Sequence, residues 1–326
     1  MTRVLVVASY DDALNAHSAQ RERALERHGQ TVTRFDINAR PGLLSRLRGS
    51  DLVSRLDREL EVSAPDVVLV VRGEALSAQA VTNLRRDHPA TWVNWVPDDV
   101  HGLAIVQHAL PAYDLVFASG TDAVELLAPH LPQPAHYLPL AADPSIYKPM
   151  RSRDQYRANV VFAGTATPRR ERLLSELVEF GLAVWGPGWR RTSLRDYCRG
   201  EQLDTENFVR AYAGASLAVN IHRSAEAEPA VLERGVNQRL FELAAIGVPQ
   251  VVDFRGDLDR LFADRREVLV YRSVEEMRSL VEATLQDPTA AEAVARAGRI
   301  RLLSEHTYMH RLKRLLDVVR EAARRA

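Results

Sequence analysis

Short apolar runs alternate with helical stretches from the first residues into the last third of the chain, and this alternation limits the possible folds more than any other feature. The runs are rich in Val and Leu and are bounded by Pro, Gly or Asp. They include RVLVVAS, PDVVLVV, TWVNWV and DLVFAS in the first half and VVFAG, LAVWG, SLAVNIH and PQVVDF in the second. Near-continuous apolar runs are typical of strands that helices cover on both faces. The pattern therefore predicts an α/β fold built on doubly wound parallel sheets.

The chain is long enough for two such sheets, because 326 residues exceed one ordinary hydrophobic core. The segment ADPSIYKPMRSRDQYRAN, at 142–159, is rich in Pro and Arg and interrupts the alternation, so we interpret it as an interdomain linker. The predicted domains are then 1–150 and 151–305, with a last helix at 306–326. Both halves have a Rossmann-like pattern, and we expect them to face each other across a cleft.

The composition is that of a globular protein and argues against several classes of partner. Hydrophobic residues make up 46% and charged residues 26% of the chain, and 43 basic residues balance 43 acidic ones. Balanced charge argues against a broad nucleic-acid-binding surface. No apolar run approaches the roughly 20 residues that span a bilayer, and MTRVLVVASYDD lacks the features of a signal peptide. We therefore expect a cytoplasmic protein without a membrane span. The single Cys198 predicts no internal disulfide and no zinc site.

The turn after VVFAG is a candidate site for an anion. Gly164 and Thr165 form the turn, and a Thr-Pro pair then starts the next helix. The N–H groups at a helix N-terminus attract phosphate, and Arg169 or Arg170 could add charge-assisted hydrogen bonds. The alternative is a well-capped turn between a strand and a helix with no ligand.

Two further strand ends carry aromatic or polar residues. In LAVWGPGWRR, Gly186 and Trp189 could form the wall of a nucleobase pocket, whereas the alternative is that Trp185 and Trp189 both pack in the core. Asn220 and His222 end the strand of AVNIHRS. Ligands of open parallel sheets bind beyond the carboxyl ends of the strands, so these residues are either part of a site or satisfied structural groups.

The helix that begins near residue 237 carries three polar residues among apolar ones. Asn237 can cap the helix, and Arg239 occupies the first turn, where a cation is unfavourable unless an anion lies nearby. Glu242 is three residues further on and lies on the same face. A carboxylate can accept hydrogen bonds from two adjacent hydroxyl groups. The stretch therefore predicts either a cap with a surface ion pair or a site for an anionic ligand with hydroxyls.

The motif of this helix is similar to that of a known family. Asn-x-Arg-x-Phe-Glu-x-x-Ala-x-Gly-x-Pro, followed by GDLDRLF, resembles the nucleotide-sugar domain of the CgeB-type (spore maturation) glycosyltransferases, which are relatives of the large glycosyltransferase family with the GT-B fold. VVFAGTATPRRERL, LAVWGPGW and SEHTYMHRL match in the same order, and NWVPDDVH and YLPLAADPSIYKP resemble the last parts of the family's first domain. The resemblance covers most of residues 90–312.

The resemblance implies a GT-B fold with two Rossmann-like domains, whose last helix crosses back to the first domain. It also implies transfer of a sugar from a nucleoside-diphosphate sugar, carrying UDP, TDP or GDP, to an unidentified acceptor on the N-terminal domain, with no metal and no cofactor. Glu242 would then hold the ribose, and Asn237 and Arg239 the diphosphate side. The residues of the first turn that would contact the phosphates are Gly164, Thr165 and Arg169.

The stretch NWVPDDVH offers candidates for a general base, namely Asp98, Asp99 and His101. The alternatives are a metal-binding acid pair and a structural turn. One position departs from the family pattern, because retaining relatives often carry a Glu eight positions before the ribose-binding one. Arg234 stands at that position here, with Glu233 beside it.

Two other functions fit the same motifs. The first is a UDP-sugar epimerase of the same architecture, which would need several acids and a catalytic His at its site. The second is a catalytically inactive relative that serves as a component of a coat or complex.

Overall fold

The computed structural model describes residues 1–10, 16–39, 51–97, 100–223 and 233–325, and it divides the chain into two compact units. Unit 1 comprises Met1–Leu140, Glu233–Gly235 and Tyr308–Ala326. Unit 2 comprises Ala141–Leu232 and Val236–Thr307. Each unit is built around one parallel sheet, as the alternating sequence pattern predicts.

Unit 1 contains a six-stranded sheet in which every neighbouring pair is parallel, in the order β2-β1-β3-β4-β5-β6. The strands are β1 Arg3–Ala8, β2 Thr31–Asp36, β3 Val67–Val71, β4 Thr91–Val96, β5 Leu115–Ala118 and β6 Ala135–Tyr137. The helices that accompany them are α1 Ala16–Arg27, α2 Leu52–Ser63, α3 Ala78–Asp87, α4 Val100–Val106 and α5 Thr121–Leu127. Strands β1 and β3 are almost entirely buried, as strands with helices on both faces should be.

Unit 2 repeats this architecture with the strand order β12-β11-β10-β7-β8-β9, again with parallel pairing. The strands are β7 Ala158–Ala163, β8 Leu182–Trp185, β9 Cys198–Gly200, β10 Ala215–Asn220, β11 Gln250–Asp253 and β12 Leu269–Tyr271. The helices are α6 Pro168–Ser175, α7 Thr205–Ala213, α8 Gln238–Ile246, α9 Leu258–Leu261, α10 Val274–Gln286 and α11 Pro288–Glu305. None of the helices in the described ranges has both the length and the apolarity needed to cross a membrane.

The last helix, α12 Tyr308–Ala323, belongs to unit 1 and packs against α1. It is amphipathic, and its apolar stripe is buried. The buried members of the stripe are Leu312, Leu315, Leu316 and Val319. Arg311 Nε donates to the carbonyls of Pro139 (2.9 Å) and Leu140 (3.1 Å). The chain thus returns to unit 1 after it has built unit 2.

The segment 142–159 differs from the predicted linker. Its backbone pairs in part with the end of unit 2, through a bridge between Ala142 and Thr307. Tyr147 is buried and its ring meets Phe208 edge to face. The segment lacks periodicity because its backbone is irregular, and it packs onto unit 2.

Two shorter elements also differ from the sequence pattern. The three-residue strand β9 has no apolar run, because it is an edge strand with a half-buried pattern. The helix expected at 168–179 ends at Ser175. A short 3-10 turn follows, and Gly181, with φ +78°, ends that turn. Parts of the helices expected to begin at Asp12 and near residue 43 lie outside the described residues.

The strand order of unit 2 places its switch point between β7 and β10. From β7 the chain builds outward through β8 and β9, and it then returns to the other side of β7 to build β10, β11 and β12. Ligands of open parallel sheets bind beyond the carboxyl ends of the strands at such a point. Residues that follow β7, β10 and β11 are therefore the first place to look for a site in unit 2.

Candidate functional site

The turns after β7 and β8 are interlocked through their backbones. Gly164 N donates to Trp185 O at 2.9 Å, and Ala166 N donates to Pro187 O at 2.9 Å. Gly186 has φ +132°, and a Cβ there would lie 2.2 Å from the carbonyl oxygen of Gly164. Only glycine allows this approach, so Gly164 and Gly186 together fix the shape of the turn that precedes α6.

The indole of Trp189 is hydrogen-bonded to this turn. Its side chain is fully buried, its Nε1 donates to Gly164 O at 2.7 Å, and its ring meets Phe162 edge to face. A ring without exposed surface cannot form the wall of an open nucleobase pocket, so the structure corrects that prediction for Trp189. Trp185 is also buried. Core packing, the alternative stated from the sequence, describes both tryptophans.

The N-terminus of α6 carries two arginines with different partners. Thr167 caps the helix by accepting from Arg170 N at 3.2 Å, and Pro168 takes the first helical position. The Arg170 guanidinium donates to the carbonyls of Ile221 (2.8 and 3.2 Å) and Thr165 (2.9 Å). Arg170 therefore ties the end of β10 to the turn after β7.

Burial lowers the pKa of Arg170 to about 10, although the nearby carboxylate of Asp253 opposes that shift. The side chain still carries its charge at neutral pH. Within the described ranges Arg170 forms no ion pair. Its hydrogen bonds go to carbonyl oxygens instead. Its positive charge is therefore only partly compensated at the carboxyl edge of the sheet.

Arg169, His222 and Asp253 meet where β10 and β11 end. Asp253 Oδ1 accepts from His222 Nδ1 at 2.5 Å and from His222 N at 3.0 Å. Arg169 Nη2 donates to Asp253 Oδ2 at 3.0 Å, and Arg169 Nη1 donates to His222 O at 3.2 Å. His222 and Asp253 are both buried, whereas Arg169 keeps about a quarter of its side chain exposed at 24%. Arg169 and His222, two candidate residues from separate strand ends, are thus in contact, and Asp253 joins them.

Asp253 is a residue that the sequence analysis missed. Its signal was present in PQVVDF, because a carboxylate that ends a buried strand at the ligand-binding edge of a parallel sheet is unusual for core packing. Although burial alone would raise the pKa of Asp253, the neighbouring His222, Arg255 and Arg169 hold it well below its usual range. Burial lowers the pKa of His222, and Asp253 opposes that effect. The pair therefore consists of a carboxylate and a neutral imidazole.

Asn237 joins α8 to β10. Its side chain caps α8 by accepting from Leu240 N at 3.1 Å. It also exchanges amide hydrogen bonds with Asn220, whose Nδ2 donates to Asn237 Oδ1 at 3.2 Å and whose Oδ1 accepts from Asn237 Nδ2 at 2.8 Å. The pair holds the N-terminus of α8 at the end of β10. The two predicted asparagines therefore meet, and Asn220 directly precedes Ile221, whose carbonyl accepts from Arg170.

Arg239 and Glu242 form an ion pair on α8, with 2.5 Å between Nη1 and Oε2. The side chain of Glu242 is 3% exposed, and that of Arg239 is 29% exposed. The guanidinium of Arg239 also stacks on Phe208, with its central carbon 4.1 Å from the ring centroid. The surface ion pair considered from the sequence is in fact a largely buried one, and Arg239 is its exposed end.

The structure describes no side-chain contacts for the three residues predicted as candidate general bases. Asp98 and Asp99 lie outside the described residues, and the structure places His101 in α4 of unit 1. Arg234, which replaces the family's earlier Glu, belongs to unit 1. There its Nη1 donates to Glu125 at 2.7 Å, and its backbone N donates to Asp122 at 2.7 Å.

Part of the chain is similar to known proteins in sequence. Residues 169–317 match the family model described as glycosyl transferase-like. The spore protein CgeB of Bacillus subtilis (strain 168) is 22% identical over 209 residues, which are 60% of this chain and 66% of that protein. The match thus spans just under two thirds of the curated relative.

Solved structures with the same fold cover all or nearly all of the chain. The sucrose-phosphate synthase from Thermosynechococcus elongatus has a TM-score of 0.71 at 12% identity, with full coverage of both chains. Anabaena Alr3699/HepE in complex with UDP-glucose has a TM-score of 0.68 at 12% identity, covering 98% of this chain and 100% of that one. A glycosyltransferase from Rickettsia africae ESF-5 has a TM-score of 0.66 at 8% identity, covering 100% and 99%. The chain therefore has the GT-B fold, its residues 169–317 match a glycosyl transferase-like family model, and the resemblance to the CgeB-type glycosyltransferases is confirmed.

Proposed function

We propose that this protein is a glycosyltransferase that uses a nucleoside-diphosphate sugar bound at the carboxyl edge of the unit 2 sheet. The observation that carries the proposal is that the N-termini of α6 and α8, each with an arginine, are both hydrogen-bonded to the end of β10, which borders the switch point of this sheet. The matched glycosyl transferase-like region includes the arginines of both helices.

The diphosphate is the part of the donor that this edge suits best. Helix N-termini present free N–H groups and a positive dipole end. Arg169 and Arg239 are both partly exposed, at 24% and 29% of their side chains, so each can turn donors toward an anion. Arg170 adds a charge that no carboxylate pairs within the described ranges. As the sugar leaves, negative charge grows on the diphosphate, and these fixed positive groups stabilise it.

Glu242 is the group proposed to hold the ribose. Its carboxylate is buried and shares a hydrogen bond with Arg239. A carboxylate has about four lone-pair positions, so it can accept from two ribose hydroxyls while it keeps its arginine. This double use would place ribose and diphosphate on the same turn of α8, since Arg239 and Glu242 are three residues apart.

The donor is proposed to be a UDP-sugar. The support is that Anabaena Alr3699/HepE, which shares the fold, was solved with UDP, with UDP and glucose, and with UDP-glucose. We also propose that the transfer needs no metal, because arginines and helix N-termini supply the positive charge that the leaving diphosphate requires. The acceptor is not identified.

The first experiment is a thermal-shift screen of the full chain with UDP, TDP, GDP and their sugars, in the presence and absence of EDTA. We expect one nucleotide series to raise the melting temperature in both buffers. Slow release of free sugar from that donor without an acceptor would support a transferase. Recovery of an epimerised nucleotide sugar would instead identify an epimerase, and binding without any turnover would identify an inactive relative.

A further inference from the structure

The two ring nitrogens of His222 have different environments. Nδ1 lies 2.5 Å from Asp253 Oδ1. Nε2 is buried and has no hydrogen-bond partner within the part of the chain that the structure describes. His222 itself is 5% exposed. Buried polar atoms in native proteins nearly always have a partner, so an unpartnered ring nitrogen beside a ligand-binding edge calls for an explanation.

The imidazole is held in a single orientation. Asp253 Oδ1 accepts both the backbone N–H and the Nδ1 of His222, while Arg169 bonds to Asp253 Oδ2 and to His222 O. Side chain and backbone of His222 are thus held by three hydrogen bonds with two neighbours, which are themselves bonded to each other. A hydrogen bond at one ring nitrogen fixes the tautomer and the ring orientation of a functional histidine.

The same contacts determine what Nε2 can do. Asp253 is ionised, so it can only accept, and Nδ1 must therefore carry the proton. Burial keeps the imidazole neutral. Nε2 then presents a lone pair and requires a hydrogen-bond donor. A phosphate oxygen has no proton to give at neutral pH, so it does not fit this position, whereas a hydroxyl group does.

We propose that His222 Nε2 accepts a hydrogen bond from a hydroxyl of the sugar that is transferred, and that His222 therefore selects the donor sugar. This inference rests on the proposed function. The ribose hydroxyls are assigned to Glu242 on α8, and the diphosphate to the arginines, so the remaining hydroxyls of the donor are those of the sugar. The carbonyl oxygen of His222 accepts from Arg169 on α6, so His222 adjoins a group proposed for the diphosphate, to which the sugar is attached.

Two substitutions separate the two ring nitrogens. In His222→Asn the amide nitrogen takes the place of Nδ1 and keeps the bond to Asp253, but nothing replaces Nε2. In His222→Gln the longer amide reaches the place of Nε2 and can present an oxygen acceptor there. His222→Asn thus tests the proposed contact, and His222→Gln is the variant that should restore part of it.

Calorimetry on the full chain should compare UDP with UDP-glucose, UDP-galactose and UDP-N-acetylglucosamine, and the sugar that adds most affinity beyond UDP should be used further. We expect His222→Asn to bind UDP as the native protein does and to bind the UDP-sugar about 3- to 10-fold more weakly, the range for one net hydrogen bond. His222→Gln should recover part of that loss. Donors whose sugar lacks a single hydroxyl identify the hydroxyl involved. One such monodeoxy donor should bind the native protein more weakly than the full UDP-sugar does. His222→Asn should bind that donor and the full UDP-sugar with the same affinity.

The outcomes distinguish this inference from the function on which it rests. Equal losses for UDP and for the UDP-sugar would show that His222 only supports the nucleotide site, and would overturn the inference alone. A native protein that binds none of the nucleotides would overturn the proposed function and the inference with it. If His222→Asn does not fold, the deoxy analogues are measured on the native protein and on His222→Gln. Uniform affinity for all of them in the native protein then contradicts a hydroxyl contact.

Discussion

Arg239 and Glu242 lie three residues apart on α8 and form an ion pair, with 2.5 Å between Nη1 and Oε2. The pair is asymmetric, because the carboxylate is buried while the Arg239 side chain is partly exposed and its guanidinium rests on Phe208. A buried carboxylate needs a compensating charge, and Arg239 supplies it. Arg239 is thus both the partner that permits Glu242 to be buried and the group proposed to bind the diphosphate.

Replacing Arg239 by Ala should weaken binding of a nucleoside diphosphate far more than binding of the nucleoside. The lost interaction is charge-assisted, worth about 1.5–3 kcal/mol, or roughly 10- to 150-fold in affinity. Calorimetry with uridine and UDP measures the two affinities on folded protein. Arg239→Lys is the matched control, because it keeps the charge and should retain part of the diphosphate affinity. Equal losses for uridine and UDP would contradict the assignment.

Replacing Glu242 by Gln should reduce donor affinity by about 1–3 kcal/mol, because the amide keeps the shape but offers a poorer set of acceptors to two hydroxyls. The native protein should bind a 2′-deoxy donor more weakly than the ribose form, and the variant should discriminate less between them. Because Arg239 is partly exposed and stacked on Phe208, it can be solvated without its partner, so the melting temperature should change little. A collapse of the melting temperature with native donor affinity would make Glu242 purely structural.

Much of the fold follows from local sequence patterns, and the physical reason is the burial of parallel strands. Runs such as PDVVLVV and TWVNWV can be stable only where helices cover both faces, so the alternation alone predicts two Rossmann-like units. The order of the strands is not local information. β7 pairs with β8 and with β10, and that arrangement, which creates the switch point, depends on how whole elements pack.

The role of a site residue could be predicted from the sequence where its contacts lie within its own helix. It could not be predicted where its contacts lie on a neighbouring strand. Asn237, as a helix cap, is readable from its position in the chain. The pairing of Asp253 with His222 is not, because it depends on β11 lying beside β10, which His222 follows by two residues. Trp189 is a second residue whose role the sequence leaves open. An indole is both apolar and a donor, and only the tertiary structure shows that its N–H bonds to Gly164 O inside the core.

Gly186→Ala should destabilise the protein by about 2–5 kcal/mol, since a Cβ combines backbone strain with a clash. It would lie 2.2 Å from the carbonyl oxygen of Gly164, and the φ of +132° is unfavourable for an L side chain. Gly29→Ala is the control, because Gly29 also has a positive φ, +74°, but has open space around it. It should lose only about 1–2 kcal/mol. Urea unfolding measures both values, and equal losses would mean that the close approach of the two turns is unimportant.

The His222–Asp253 pair predicts a pH dependence of stability. Burial lowers the pKa of His222 below the ordinary value of 6.5, so the unfolded chain binds the proton more tightly than the folded one. Stability from this group is therefore present above pH 6.5 and falls as the pH drops below it. The lowered pKa of Asp253 acts in the same direction at still lower pH, below its ordinary value of 3.8.

Urea unfolding of the native protein and of His222→Asn at pH 7.5 and at pH 5.5 isolates this contribution from the other histidines. The difference in unfolding free energy between native and variant should be larger at pH 7.5 than at pH 5.5. A difference that grows on acidification would mean that the folded state prefers a charged His222, and would contradict the assignment of Nε2 as an acceptor.

The last helix should be an integral part of unit 1. Leu312 is fully buried on the apolar stripe of α12, which packs against α1. Leu312→Ala should therefore lower the free energy of unfolding by about 2–5 kcal/mol, the range for a leucine deleted from a well-packed core. The matched control is Leu126→Ala on α5 of the same unit, where the leucine is 55% exposed and the effect should stay within about 0.5 kcal/mol. Hydrogen exchange on the two variants localises the change, and we expect Leu312→Ala to reduce protection in α1 as well as in α12. Native protection of α1 in that variant, with loss confined to α12, would show that the helix is an appendage that unit 1 does not need.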